Sequence, residues 1–180
     1  ALLGAGPHAQ STLVPAVTSH FGLDETLAAH GGKVIRTKVG DRDGIEEMVR
    51  QNLNLGGEQS GHMIFRDYTT TGDGIISALQ ILRIMQATGK PLSELKKCLS
   101  KYPQAQRNLR VKEKPPLETL PAIAKLVSDA EKELNGKGRV LLRYSGTEPK
   151  IRLLIEGRER QQIDRQADHI AKAIEAAIGV

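Results

Sequence analysis

Aromatic residues are scarce in this sequence. They make up 3% of its 180 residues, with no tryptophan. Phe21, Phe65, Tyr68, Tyr102 and Tyr144 are the whole set. The core must therefore be aliphatic, and the rings on which single-stranded nucleic acids stack are in short supply. Cysteine occurs once, at Cys98, which excludes an internal disulfide framework and any cysteine-rich zinc site. Its helix-like surroundings, LSELKKCLS, predict a buried structural thiol rather than a nucleophile. One thiol is compatible with a reducing cytoplasm, the expected location. No apolar run approaches the ~18–20 residues that span a bilayer, which argues against a membrane protein. The opening ALLGAGPHAQ lacks a Met, a basic stretch and a long apolar stretch. It reads as the cut edge of a longer chain, not as a signal peptide.

What is present is an ordinary globular balance, 39% hydrophobic and 26% charged. The length suits one fair-sized domain or two small ones, since domains cluster near ~100–150 residues. The net charge is +5. Such an excess admits nucleic acid or anionic small molecules, and the placement of the charge decides between them. Basic residues are interleaved with acidic ones, which disfavours nucleic acid.

The patterning divides the chain in two. STLVPAV (11–17) predicts a short buried strand, with a helix after it capped by Asp24 and stopped at Gly31-Gly32. KVIRTKV (33–39) is rich in β-branched residues and predicts a strand. GDRDGIEEMVRQN (40–52) predicts a loop entering a helix with Ile45, Met48 and Val49 on one face. This β-α-β-α order implies a partial α/β domain, its parallel or mixed sheet covered by helices. LNLGGEQSGHMIF predicts a glycine-rich turn between two extended pieces. In TTTGDG, Asp73 is read as the N-cap of a helix over 76–89. That helix is apolar on nearly every side, so deep burial is expected. A short helix follows Pro91. Asn108–Val111 reads as extended and Lys112–Pro116 as a linker, which sets domain bounds of 1–108 and 109–180. The tail reads as β-α-β-β-α, a small antiparallel sheet with two helices on one face. One of these helices has apolar positions 120, 123, 124, 127, 130 and 134. The other has 163, 167, 170, 171, 174, 177 and 178.

Two loops stand out chemically. In RYSGTEPKIR (143–152), two strands deliver Ser145, Gly146 and Thr147 between Arg143 and Arg152. Hydroxyls, backbone N–H groups and guanidiniums in one small volume suit a dianionic phosphate. Residues 138–160 hold six basic residues against three acidic ones, so the positive charge is local. The alternative is an ordinary hairpin with solvated arginines. In GGEQSGH (56–62), Glu58 and Ser60 are two residues apart, so in an extended strand they point the same way and can grip neighbouring sugar hydroxyls. His62 adds a donor or proton-transfer group. The alternative is a tight turn with a solvent-exposed carboxylate. Lys38 and Arg42 in KVGDR follow a strand, where ligand contacts of α/β sheets tend to fall, though solvated surface charge explains them as well. Asp73 has no acidic partner nearby and makes a poor Mg²⁺ site. The histidines at 8, 20, 30, 62 and 169 show no metal-ligand spacing.

GGEQSGH, TTTGDG, KEKPP and LRYSGTEPKIRLLIEG, in this order, resemble the C-terminal half of the phosphoglucosamine mutase family within the α-D-phosphohexomutase superfamily. The resemblance covers roughly residues 14–180. It implies part of the third and all of the fourth of four domains. It assigns sugar recognition to Glu58 and Ser60. Phosphate binding maps to Arg143, Ser145, Gly146 and Thr147, with Arg152 a further candidate. It implies interconversion of glucosamine 6-phosphate and glucosamine 1-phosphate, on the route to UDP-N-acetylglucosamine. The implied partners are a hexosamine phosphate, the N-terminal domains of the same enzyme and, for the full-length protein, a second copy. The family's phosphoserine loop, T-A-S-H-N-P, and its Mg²⁺ loop, D-G-D-x-D-R, are absent here, so this chain is expected to bind weakly and to catalyse nothing alone. Thr18-Ser19-His20 continues into Phe-Gly rather than Asn-Pro, and His20 stands where the family usually has Asn. Asp43 stands where an aromatic is common. Phosphoglucomutase, phosphomannomutase and a non-catalytic sugar-phosphate module are the alternatives.

Overall fold

The structure is a computed structural model that describes residues 11–180. The chain forms two compact units, Ala1–Lys101 and Tyr102–Val180. The first unit is built on a four-stranded sheet, β1 (Thr12–Pro15), β2 (Lys33–Val34), β3 (Leu55–Gly57) and β4 (Met63–Phe65), in the order β2-β1-β3-β4. β1 runs parallel to β2 and β3, and β4 returns antiparallel to β3. The sheet is thus mixed, as the pattern predicted. α1 (Gly22–Ala28) links β1 to β2, and α2 (Asp41–Arg50) links β2 to β3. Met48 and Ile45 of α2 pack with Val14, Leu53, Ile64 and Ile35. Each such buried aliphatic side chain contributes about 1.5–3 kcal/mol.

Several local expectations change. β2 is two residues long, and the remainder of the predicted strand adds only a bridge from Thr37 to Ala16. Asp24 does not cap α1. It lies in the first turn, where it pairs with Arg36. Val49 turns to solvent, away from the face shared by Ile45 and Met48. α3 (Gly74–Thr88) is capped by Asp73, whose carboxylate accepts from the Ile76 N–H at 2.8 Å. The expected burial of this helix does not occur. Ile75, Leu79 and Leu82 are 76%, 57% and 57% exposed. These three recur at helical spacing along one stripe, and α3 meets β4 with a different side. An all-round apolar helix is buried only where elements cover every side, and no described element covers this one. After α4 (Leu92–Leu95), Cys98 ends a short 3-10 turn and is exposed rather than buried.

The second unit carries an antiparallel sheet of β5 (Gln104–Arg110), β6 (Gly138–Tyr144) and β7 (Lys150–Gly157), ordered β5-β7-β6. The expected extended piece begins earlier than residue 108, which lies inside β5. α5 (Pro121–Leu134) and α6 (Arg160–Ile178) cover one face. Ile151, Leu153 and Ile155 of β7 point into that face and meet Ile123, Ile163, Ile170 and Ile174. The aliphatic core forced by the missing aromatics is realised here. α5 stops at Asn135 and Gly136, both left-handed. The segment read as a linker is folded into this unit: the Val111 N–H donates to Pro149 O, and the Lys112 N–H to Ile178 O. Among the described residues, no helix is long and apolar enough to cross a membrane.

Candidate functional site

In the first unit, the candidate residues lie in the loop that joins β3 to β4. The Glu58 N–H donates to His62 O at 2.8 Å and the Gly61 N–H to Glu58 O at 3.2 Å, closing a tight turn. Gly61 sits at φ 92°, a conformation that L side chains rarely adopt. Glu58 and Ser60 are therefore brought together by a turn, not by strand alternation as expected. The Ser60 hydroxyl faces Glu58 Oε2 at 3.4 Å, a weak contact. Glu58 Oε1 accepts the Gly40 N–H at 2.8 Å. This bond joins the GEQSGH turn to the KVGDR loop. The same join is made a second time by His62, whose Nε2 lies 2.6 Å from Asp41 Oδ2. Sequence reasoning missed Asp41, because an acidic residue at a helix start reads as dipole compensation.

Lys38 and Arg42 take different paths. Lys38 is exposed and has no ion-pair partner among the described residues. It borders an open groove of about 390 Å³ with Arg36, Asp43 and Arg50. Arg42 turns back along its own helix to Glu46 at 2.8 Å, and this hydrogen bond holds its guanidinium above the usual arginine pKa. It does not join the turn.

In the second unit, the candidate loop connects β6 to β7. Arg143 and Arg152 are direct cross-strand partners, so their side chains share a face. Arg143 has no hydrogen-bond or ion-pair partner among the described residues. Arg152 donates to Glu148 Oε2 at 2.7 Å, and Lys150 pairs with the same carboxylate. Lys150 first, then Arg152, holds the Glu148 carboxyl below its usual pKa. Gly146 and Thr147 are exposed, whereas Ser145 is buried. The Ser145 hydroxyl accepts the Glu148 N–H at 3.3 Å, and its carbonyl accepts from Lys114 Nζ at 2.6 Å. Ser145 thus orders the turn, while Thr147 is exposed and Arg143 half-buried, neither side chain with a hydrogen-bond or ion-pair partner among the described residues. Lys114 and Glu148 were also missed. The Lys114 role depends on a contact across 31 residues that no local pattern announces. An arginine, a hydroxyl and exposed turn N–H groups can hold an anion by charge-assisted hydrogen bonds.

One turn thus presents a carboxylate and a hydroxyl, and the other an arginine with no ion-pair partner among the described residues. Residues 1–102 match the family model for the phosphoglucomutase/phosphomannomutase alpha/beta/alpha domain III, and residues 107–173 match that for the C-terminal domain of the same family. The chain belongs to the phosphoglucomutase/phosphomannomutase family. It is 51% identical to the phosphoglucosamine mutase of Anaeromyxobacter sp. (strain Fw109-5), over 95% of this chain and 36% of that protein. It is also 51% identical to the phosphoglucosamine mutase of Syntrophotalea carbinolica, over 99% of this chain and 39% of that protein. The chain thus spans well under half the length of these curated relatives. Its fold matches the Aspergillus fumigatus N-acetylphosphoglucosamine mutase solved in complex with GlcNAc-6P and magnesium. There the TM-score is 0.72 at 19% identity, covering 94% of this chain and 39% of that one. A family member from Burkholderia thailandensis matches with a TM-score of 0.67, also at 19% identity, over 94% of this chain and 39% of that one.

Proposed function

We propose that the full-length protein is a phosphoglucosamine mutase, interconverting glucosamine 6-phosphate and glucosamine 1-phosphate, and that this chain supplies two of its recognition elements. The observation that carries the reading is the presence of both turns in one chain: Glu58 and Ser60 for sugar hydroxyls, Arg143 and the Gly146-Thr147 backbone for a phosphate. Arg143 meets the phosphate with two N–H groups, and the exposed turn amides and the Thr147 hydroxyl complete the shell. Arg152 reaches the same anion only by leaving Glu148. Glu58 accepts from hydroxyls, and Ser60 can donate to or accept from their neighbours.

The phosphoryl donor on this reading is a phosphoserine in a loop outside this sequence. Phosphoserine gives its phosphoryl to the sugar phosphate, and the resulting bisphosphorylated sugar returns its other phosphoryl to serine. The role of this chain is to bind and orient the sugar in both orientations. Mg²⁺ belongs to a loop outside this sequence. Among the described residues, no group of three or more His, Cys, Asp or Glu side chains is placed to hold a metal, and Asp73 is engaged as a helix cap. On the same reading the enzyme works in the cytoplasm, feeds UDP-N-acetylglucosamine and cell-wall precursor synthesis, and pairs with a second copy.

The test is an assay of the full-length protein on glucosamine, glucose and mannose 6-phosphates. Glucosamine 6-phosphate is expected to be the best substrate. Preferential turnover of glucose or mannose phosphate would move the protein to another branch of the family. Glu58→Gln is expected to lower turnover of every hexose phosphate by about 10- to 100-fold, and an unimpaired variant removes Glu58 from sugar recognition.

A further inference from the structure

His62 lies where three separate segments meet. Its own turn places it at the mouth of the β3–β4 hairpin, one residue before Met63. On one side stands Asp41, the first residue of α2, with Oδ2 2.6 Å from His62 Nε2. Gly72 of TTTGDG lies against the same edge of the ring. A Cβ on Gly72 would collide with Cδ2 and Nε2 of His62 and press against Cε1. The imidazole therefore occupies the space that any other residue at position 72 would fill. This seat is fixed on both flanks: the Asp73 N–H donates to Met63 O, and the Asp73 carboxylate caps α3. Nδ1 has no hydrogen-bond partner among the described residues.

The chemistry follows from the tautomer. A neutral imidazole carries one N–H and one lone pair, and an acceptor at one nitrogen places the proton there. Asp41 can only accept once ionised, so Nε2 must hold the hydrogen. We propose that Asp41 and Gly72 are positioning residues that hold neutral His62 as the Nε2–H tautomer, leaving Nδ1 as the acceptor for a hydroxyl of a sugar ligand. The proposal rests on the sugar-recognition reading of the Glu58–His62 turn. It gives TTTGDG a role beyond capping, and it explains why KVGDR and GEQSGH are tied together twice. Glu58, the other charged group of the turn, is bonded to Gly40 and Ser60, so it does not compete for the imidazole proton.

The test is side-chain ¹⁵N NMR of the 180-residue chain at about pH 8.5, above the ordinary imidazole pKa of ~6.5. The expected spectrum shows a protonated Nε2 and an unprotonated Nδ1 for His62. In Asp41→Ala both nitrogens move toward averaged positions as the tautomers mix, and Asp41→Glu restores the original pattern. In Gly72→Ala the nearest atoms to the new methyl are at the far end of the His62 side chain, so the ring is expected to leave its seat and the pattern to average. Unchanged ring shifts in both Asp41→Ala and Gly72→Ala overturn the positioning role. Glucosamine 6-phosphate added to the wild type is expected to shift Nδ1, with a midpoint about tenfold higher in Asp41→Ala. An intact tautomer pattern with no Nδ1 response to the sugar overturns the acceptor role and the sugar reading of the turn, but not the positioning. The two failures are thus distinguishable.

Discussion

Two rows of side chains cross the face of the second unit's sheet opposite its helices, four residues apart on β7. Gln104, Glu156 and Arg139 form one row, and Asn108, Arg152 and Arg143 the other, each in direct cross-strand register. In the first, the Gln104 amide donates to Glu156 Oε1 at 2.8 Å and Arg139 Nε donates to Oε2 at 2.6 Å. Glu156 is 0% exposed. In the second, two arginines stand opposite each other, an arrangement that disfavours folding unless an anion intervenes. Glu148 reaches up from the loop to one of them, and Arg143 is left over. Both rows share the same strands, face and donor chemistry. One is closed by a carboxylate in the strand itself, the other by whatever arrives at the loop. A closed row holds the sheet together, and an open row is, on the proposed function, the one that binds.

The largest expected effect falls on the closed row. Glu156→Ala removes the carboxylate that accepts from both neighbouring strands and strips Arg139, itself largely buried, of this counter-charge. Breaking a buried pair in this way costs about 3–5 kcal/mol, and Glu156→Gln, which keeps acceptor atoms, less. Chemical denaturation reads the difference. A loss under about 1 kcal/mol would mean that the sheet does not depend on this row. Phosphate binding by the folded fraction is expected to be unchanged.

The open row should behave in the opposite way. Arg143→Ala removes no hydrogen bond or ion pair among the described residues, so stability should change by no more than about 0.5 kcal/mol. Affinity for glucosamine 6-phosphate should fall at least about tenfold, since a bidentate charge-assisted contact is lost. Calorimetric titration measures both this variant and Arg139→Ala, which should lose stability while its folded fraction keeps its affinity. Equal losses of affinity in the two would erase the distinction between the rows.

Much of this was legible in the residues alone. Alternation along KIRLLIEG places Ile151, Leu153 and Ile155 on one face and Arg152 and Glu156 on the other, and the two-strand loop with its flanking arginines follows from the same reading. What was not legible has a common cause. Nothing in the local pattern singles out Glu156, because its partners Gln104 and Arg139 are brought alongside only by strand register. Asp41 and Gly72 looked like helix-start and turn residues, because their contacts with His62 cross loops. α3 looked like a core helix, because hydrophobicity reports what a face needs and not whether something covers it. The thiol of Cys98 failed for the same reason. Local pattern gives the periodicity of an element; partners from distant segments decide which sides are closed.

Glu148 offers the finest test, because it belongs to the loop and half-closes the open row. Lys150, by hydrogen bond and charge, and then Arg152 hold its carboxyl below the usual value of 4.5. A group whose folded pKa is depressed contributes stability that is fully present above its unfolded value and is lost as pH falls through the folded one. The stability difference between wild type and Glu148→Gln should therefore be flat from pH 7 down to about 4.5 and close only at lower pH. Because the group is well exposed to solvent, the difference should be small and should shrink in salt. At pH 7 the same substitution releases Arg152 and Lys150, so phosphate affinity should rise several-fold, in contrast to the loss in Arg143→Ala. A fall in affinity in Glu148→Gln would show that the carboxylate shapes the loop for the anion rather than competing with it, and the row would then be organised by its own counter-ion.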